Sequence, residues 1–139
     1  MTLLRLAAIA AIGLALCAQT KQTYKARLTP VPADARTRAS LAGTGSVTAT
    51  LDGSKLSLTG SFDGFLSPAT TAELHNGVAA GVRGALISQL TVAKATSGMI
   101  TGSVDLTPPQ LANLQKGGLY VEIHSEKSPD GVLWGWLLK

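Results

Sequence analysis

Ser46-Val47-Thr48-Ala49-Thr50-Leu51-Asp52-Gly53-Ser54-Lys55-Leu56-Ser57-Leu58-Thr59-Gly60 reads as two strands with the turn between them. Val47, Ala49 and Leu51 recur at every second position, as do Leu56 and Leu58, and period two places such residues on one face of a strand. Asp52-Gly53 separates the two runs, and an Asp-Gly pair is what a tight hairpin turn selects, since glycine takes a positive φ at no steric cost. Upstream, residues 24–28 alternate in the same way and are ended by Pro30 and Pro32, which cannot donate to a ladder. Downstream, strands are expected at 71–75, 85–92, 98–104, 119–124 and 132–138, with a small, glycine-rich loop at 77–84. One helix is specified. Thr107-Pro108-Pro109-Gln110 supplies an N-cap, proline in the first turn and the Gln of a capping box, while Gly117-Gly118 stops the helix and Leu111 and Leu114 give it an apolar face. The expectation is an all-β protein, an antiparallel Greek-key-like β-sandwich with one short helix at about residues 107–116.

The chain has 139 residues, the size of one domain, and only 14% of them are charged against 15 glycines, which suits a turn-rich β-protein rather than a disordered one. The formal net charge of +4 is mild, the basic residues are scattered, and aromatics are too few to stack on bases. Nucleic acid is therefore not an expected partner. Catalytic motifs are missing too: there is no Gly-x-Ser-x-Gly elbow and no phosphate-cradling glycine loop between a strand and a helix, so an enzyme is not expected.

Residues 1–18 read as a cleavable signal peptide, with Arg5 in a short positive start and an apolar stretch over residues 6–16. That stretch is shorter than the roughly 20 apolar residues a membrane span needs. Cleavage fits after Ala18 or after Cys17. Leu14-Ala15-Leu16-Cys17 also has the outline of a lipidation box, which would make Cys17 a lipid attachment site, although Leu16 departs from that motif. Cys17 is the sole cysteine, so disulfides are excluded. Residues 19–23 form a polar connector and 24–139 the folded domain. A periplasmic or extracellular location follows, the alternative being a membrane anchor through residues 1–18, and membrane contact is expected only if that segment is retained or lipidated.

Along residues 24–138 the order of motifs resembles the CHRD domain family, named after repeats in chordin. The residues that carry the resemblance are Ala26-Arg27-Leu28-Thr29-Pro30, the hairpin turn Leu51-Asp52-Gly53-Ser54-Lys55-Leu56, Ala72-Glu73-Leu74-His75, Leu106-Thr107 through Leu114, and Gly118-Leu119-Tyr120-Val121-Glu122-Ile123-His124-Ser125. Two departures stand out: Glu73 occupies the first histidine of the family's Ala-His-Ile-His, and Gly131-Val132-Leu133-Trp134-Gly135-Trp136 replaces a segment that often reads Gly-Glu-Ile-Arg-Gly-Gln. The resemblance implies a β-sandwich and a non-catalytic role in extracellular binding and assembly, with an envelope or membrane-complex protein as partner.

Two constellations are candidates for function. Both histidines of the chain end a Glu-x-His triplet, Glu73-Leu74-His75 and Glu122-Ile123-His124, and a spacing of two puts each pair on one face of its strand. If the strands are neighbours, two imidazoles and two carboxylates converge as a ligand set for copper or zinc; otherwise each histidine is a hydrogen-bonded strand end. Trp134 and Trp136 also share a face, either as core or, if exposed, as a platform for a partner.

Overall fold

The computed structural model describes residues 21–139, so the expected signal peptide and Cys17 lie outside the described residues. The strands are β1 (Gln22–Pro30), β2 (Thr44–Asp52), β3 (Lys55–Asp63), β4 (Ala69–Asn76), β5 (Ala85–Val92), β6 (Gly98–Asp105), β7 (Leu119–Ser125) and β8 (Leu133–Trp136), with helix α1 (Pro108–Gln115) before β7. The hairpin forms as read: β2 and β3 pair from Asp52↔Lys55 to Thr44↔Asp63, and Gly53 takes φ +64° in the turn. Thr107 caps α1 with both halves of the capping box present.

The strands join in the order β1-β2-β3-β6-β5-β4-β7-β8 and close into a barrel, which corrects the expected sandwich. Every pairing is antiparallel, and β4, β5 and β6 follow one another with β3 beside β6, the Greek-key arrangement. Closure depends on two short seams. At one, β5 pairs with β6 through Thr91↔Thr101 and Val92↔Ile100. At the other, β1 meets β8 through Thr29↔Trp134 and Pro30↔Leu133, extended by reciprocal backbone bonds between Lys25 and Leu138 at 2.7 and 2.9 Å. These seams join what would otherwise be two sheets, and closure removes the unpaired edges that a sandwich must protect.

The barrel interior holds Tyr24, Ala26 and Leu28 of β1, Val47, Ala49 and Leu51 of β2, Leu56, Leu58 and Phe62 of β3, Ala72 and Leu74 of β4, and Leu119, Val121 and Ile123 of β7. Leu114 of α1 is fully buried against this core. Asn113 of the same helix donates from Nδ2 to Asn76 Oδ1 (2.6 Å) and to the Gly77 carbonyl (2.8 Å), which ties down the start of the 77–84 loop.

Gly135 is where β8 approaches β1 most closely: a Cβ there would overlap the Arg27 carbonyl oxygen. Replacing Gly135 with Ala is expected to open the β1–β8 seam and lower stability by about 1–3 kcal/mol, the usual range for a disruptive single substitution. Urea unfolding reads this, and an unchanged midpoint would contradict the role assigned to the seam.

Candidate metal centre

Strand β7 does not follow the inside–outside rule of a half-exposed sheet. Leu119, Val121 and Ile123 face the barrel core, yet Tyr120 and Glu122, which point outward, are buried as well. Loops cover this face: Val31 and Leu41 pack with Tyr120, Trp134 and Trp136 in a second apolar cluster, and Arg83 reaches over from the 77–84 loop. The register then sets the lateral order. Glu73 stands opposite Glu122, His75 opposite Tyr120, Glu122 opposite Trp134, and Tyr120 opposite Trp136. Adjacent strands lie about 4.8 Å apart, so the two Glu-x-His triplets become neighbours on one outer face.

Three of the four expected ligand residues bring donor atoms together, and the fourth, His75, hydrogen-bonds one of them. His75 Nε2 lies 2.8 Å from Glu73 Oε2, and His124 Nε2 lies 3.5 Å from the same oxygen and 3.1 Å from Glu122 Oε1. Donor atoms of Glu73, Glu122 and His124 are all within 4.8 Å of one another. Each ring is fixed through its other nitrogen: His75 Nδ1 is 3.0 Å from the Gly84 carbonyl oxygen, and His124 Nδ1 is 2.7 Å from that of Pro129. A carbonyl only accepts, so Nδ1 carries a proton in both rings and Nε2 is the atom presented to the carboxylates. His124 Nε2 is buried and makes no aligned hydrogen bond despite its short contacts. The His124 Nε2 atom and two carboxylate oxygens therefore face one another, an arrangement that either a proton on Nε2 or a metal cation between them satisfies.

Sequence reasoning did not single out Arg83, Tyr120 or the carbonyl of Pro129. Arg83 Nη1 donates to both oxygens of Glu122 at 2.7 and 2.8 Å, and its Nη2 donates to the Asp130 carbonyl at 2.8 Å. Its guanidinium also sits 5.7 Å from the Trp134 ring centroid. Where the resemblance puts an arginine this chain has Trp134, and Arg83 brings a guanidinium over that residue from another loop. The signal for it in the sequence is a lone arginine in a stretch of small residues. Tyr120 stacks on His75 with centroids 4.9 Å apart and planes 7° from parallel, and its hydroxyl accepts from the Gly84 N–H at 2.8 Å. Trp134 is 8% exposed and Trp136 partly exposed, in mutual contact at 4.8 Å.

Burial pushes the Glu122 carboxyl up, but His124, Arg83 and His75 together outweigh burial and hold it below its usual range. The Glu122 carboxylate is the main cause that raises His124, ahead of burial, which opposes it; the Pro129 carbonyl and Glu73 add to the rise. Because that contact lacks hydrogen-bond alignment, charge attraction is the better account of it.

The fold is an antiparallel β-barrel with a semi-enclosed cluster of imidazole and carboxylate side chains on its outer face. The chain belongs to the CHRD domain family, whose model matches residues 24–137. Membership supports a binding domain without catalytic activity. Comparison with curated proteins and with solved structures finds no match, so the family alone carries the relationship. No helix among the described residues is long and apolar enough to cross a membrane.

In the metal-free protein the two shifts act in opposite directions with pH. A raised His124 contributes stability that is complete below about pH 6.5, the ordinary histidine value, and is lost as pH rises through its folded value. A lowered Glu122 contributes stability that is complete above its ordinary value of about 4.3 and is lost as pH falls through its folded value. Metal-free protein is expected to be most stable between about pH 4.5 and 6.5, and His124→Gln is expected to remove the decline on the alkaline side. Urea midpoints measured from pH 4 to 9 check this; an alkaline decline that persists unchanged in the variant would contradict it.

Proposed function

We propose that this CHRD domain is a non-catalytic module that binds a divalent transition-metal ion through His124, Glu73 and Glu122, with His75 supporting Glu73. The observation that carries the reading is His124 Nε2, buried and without an aligned partner, aimed between two carboxylate oxygens while the Pro129 carbonyl holds the ring from behind. A backbone carbonyl on Nδ1 is the usual outer support of a metal-bound histidine, because it fixes the tautomer and the ring orientation. His75 holds Glu73 from behind through Nε2, with its own Nδ1 on the Gly84 carbonyl, so it acts as a supporting partner of that carboxylate. Imidazole and carboxylate together suit zinc or copper, with copper the tighter by the general order of divalent affinities. The signal-like start of the chain supports export, and an exported domain would meet its metal in the envelope or outside the cell.

Catalysis finds no comparable support. Glu122 is held by the Arg83 fork on both oxygens, a poor state for a general base. A structural ion-pair network is the competing account, and metal titration separates the two. Isothermal titration of Cu²⁺ and Zn²⁺ into the chain at pH 7.5 is expected to show one site, with Cu²⁺ bound more tightly. His124→Ala is expected to abolish binding, and His75→Ala to weaken it by about 10- to 100-fold, the scale of losing a ligand's supporting partner. Affinity should fall as pH drops and protons compete for the imidazoles. Absence of heat for both metals in the intact chain would leave the cluster a salt-bridge network.

A further inference from the structure

The outer face of β1 and β8, beside the strand that carries Glu122 and His124, has a different chemistry. Lys25, Arg27 and Thr29 point outward from β1, and Leu138, Trp136 and Trp134 stand beside them along the closing seam. A groove of about 510 Å³ runs between them, lined also by Ala80 and Gly117. A second groove shares Gly117 and Leu138 with it and adds Lys116, at the end of α1, and Lys139. Four cations thus surround an apolar strip whose most prominent member, Leu138, is 55% exposed, and no acidic side chain lines either groove. Lys139 Nζ lies over the Tyr24 ring, 5.8 Å from its centroid, which places a cation at the edge of the second groove.

We infer that this face rests on an anionic bilayer surface, with Leu138 and the edge of Trp136 at headgroup level and Lys25, Arg27, Lys116 and Lys139 against lipid phosphates. Three observations favour a membrane over an acidic protein. An exposed leucine beside the partly exposed Trp136 within a ring of cations is the composition of an interfacial contact, where an indole settles at the headgroup level and basic side chains meet anionic lipid. The grooves are shallow and continuous, without a closed pocket that would select one side chain. The third observation is the path of the chain: the apolar stretch at residues 6–16 leads through a short polar connector to β1, and Lys25, the fourth residue of that strand, is bonded to Leu138. A chain that keeps residues 1–20 is tethered beside this patch.

The test uses the full chain with vesicles of phosphatidylglycerol and phosphatidylcholine that contain doxyl-labelled phosphatidylcholine. It reads quenching of tryptophan fluorescence, which comes from Trp134 and Trp136 alone. Quenching is expected on the anionic vesicles, and the combined Lys25→Glu, Lys116→Glu, Lys139→Glu variant is expected to lose it, with partition weakened about fivefold per lysine, the factor that corresponds to roughly 1 kcal/mol for each basic residue at an anionic surface. Leu138→Glu should weaken quenching further without altering metal titration. Chain that floats with vesicles but shows no quenching is tethered only by its start, and the inference fails. Quenching that is equal in the triple variant also overturns it, as does binding to a soluble polyanion such as alginate with no vesicle association.

Discussion

A carboxylate that is 1% exposed cannot stand alone, and the arrangement around Glu122 follows from that requirement. An ionised group removed from water costs several kcal/mol unless charge and hydrogen bonds compensate it. Arg83 supplies a fork on both oxygens, His124 lies 3.1 Å away, and both are held in turn by backbone carbonyls. The 77–84 and 126–131 loops are thereby drawn over the outer face of β7. Their cover is what buries Tyr120 and Trp134 and confines the histidines. Remove the carboxylate and the reason for both loops to lie where they do is largely gone.

Barrel closure has a similar dependence on a small number of contacts. Eight strands alternate well enough that their existence, their antiparallel pairing and the capped helix were legible from period, turn chemistry and the Thr107 box. Whether they make a sandwich or a barrel was not, because the answer lies in two seams of a few residues each. Thr29 opposite Trp134 and Thr91 opposite Thr101 leave no periodic trace, and both architectures ask for the same alternation along each strand.

At the site, the Glu-x-His spacing correctly placed each pair on one face, and the adjacency of β4 and β7 made them converge. That adjacency is a matter of topology, since Glu73 and Glu122 are 49 positions apart in sequence while their strands pair directly. The burial of Glu122 was beyond reach for a different reason. An outward strand position reads as solvent-facing until the loops above it are placed, and a single arginine among small residues gives no hint that it will be the counter-ion. Tyr120 was hidden likewise, as an aromatic in a strand that has apolar neighbours on both sides.

The carbonyls of Pro129 and Asp130 are consecutive in the chain, and each engages a different member of the cluster: Pro129 holds the His124 ring, and Asp130 holds the Arg83 guanidinium. One short turn is therefore a shared clamp on the imidazole and on the guanidinium that both face Glu122. A rotation of the peptide planes in that turn would release both at once, so a bound ligand and the conformation of residues 129–130 are thermodynamically linked. The orienting atoms are main-chain oxygens, which any residue compatible with the turn can provide. Side-chain identity at those positions is free to drift while the backbone path is not.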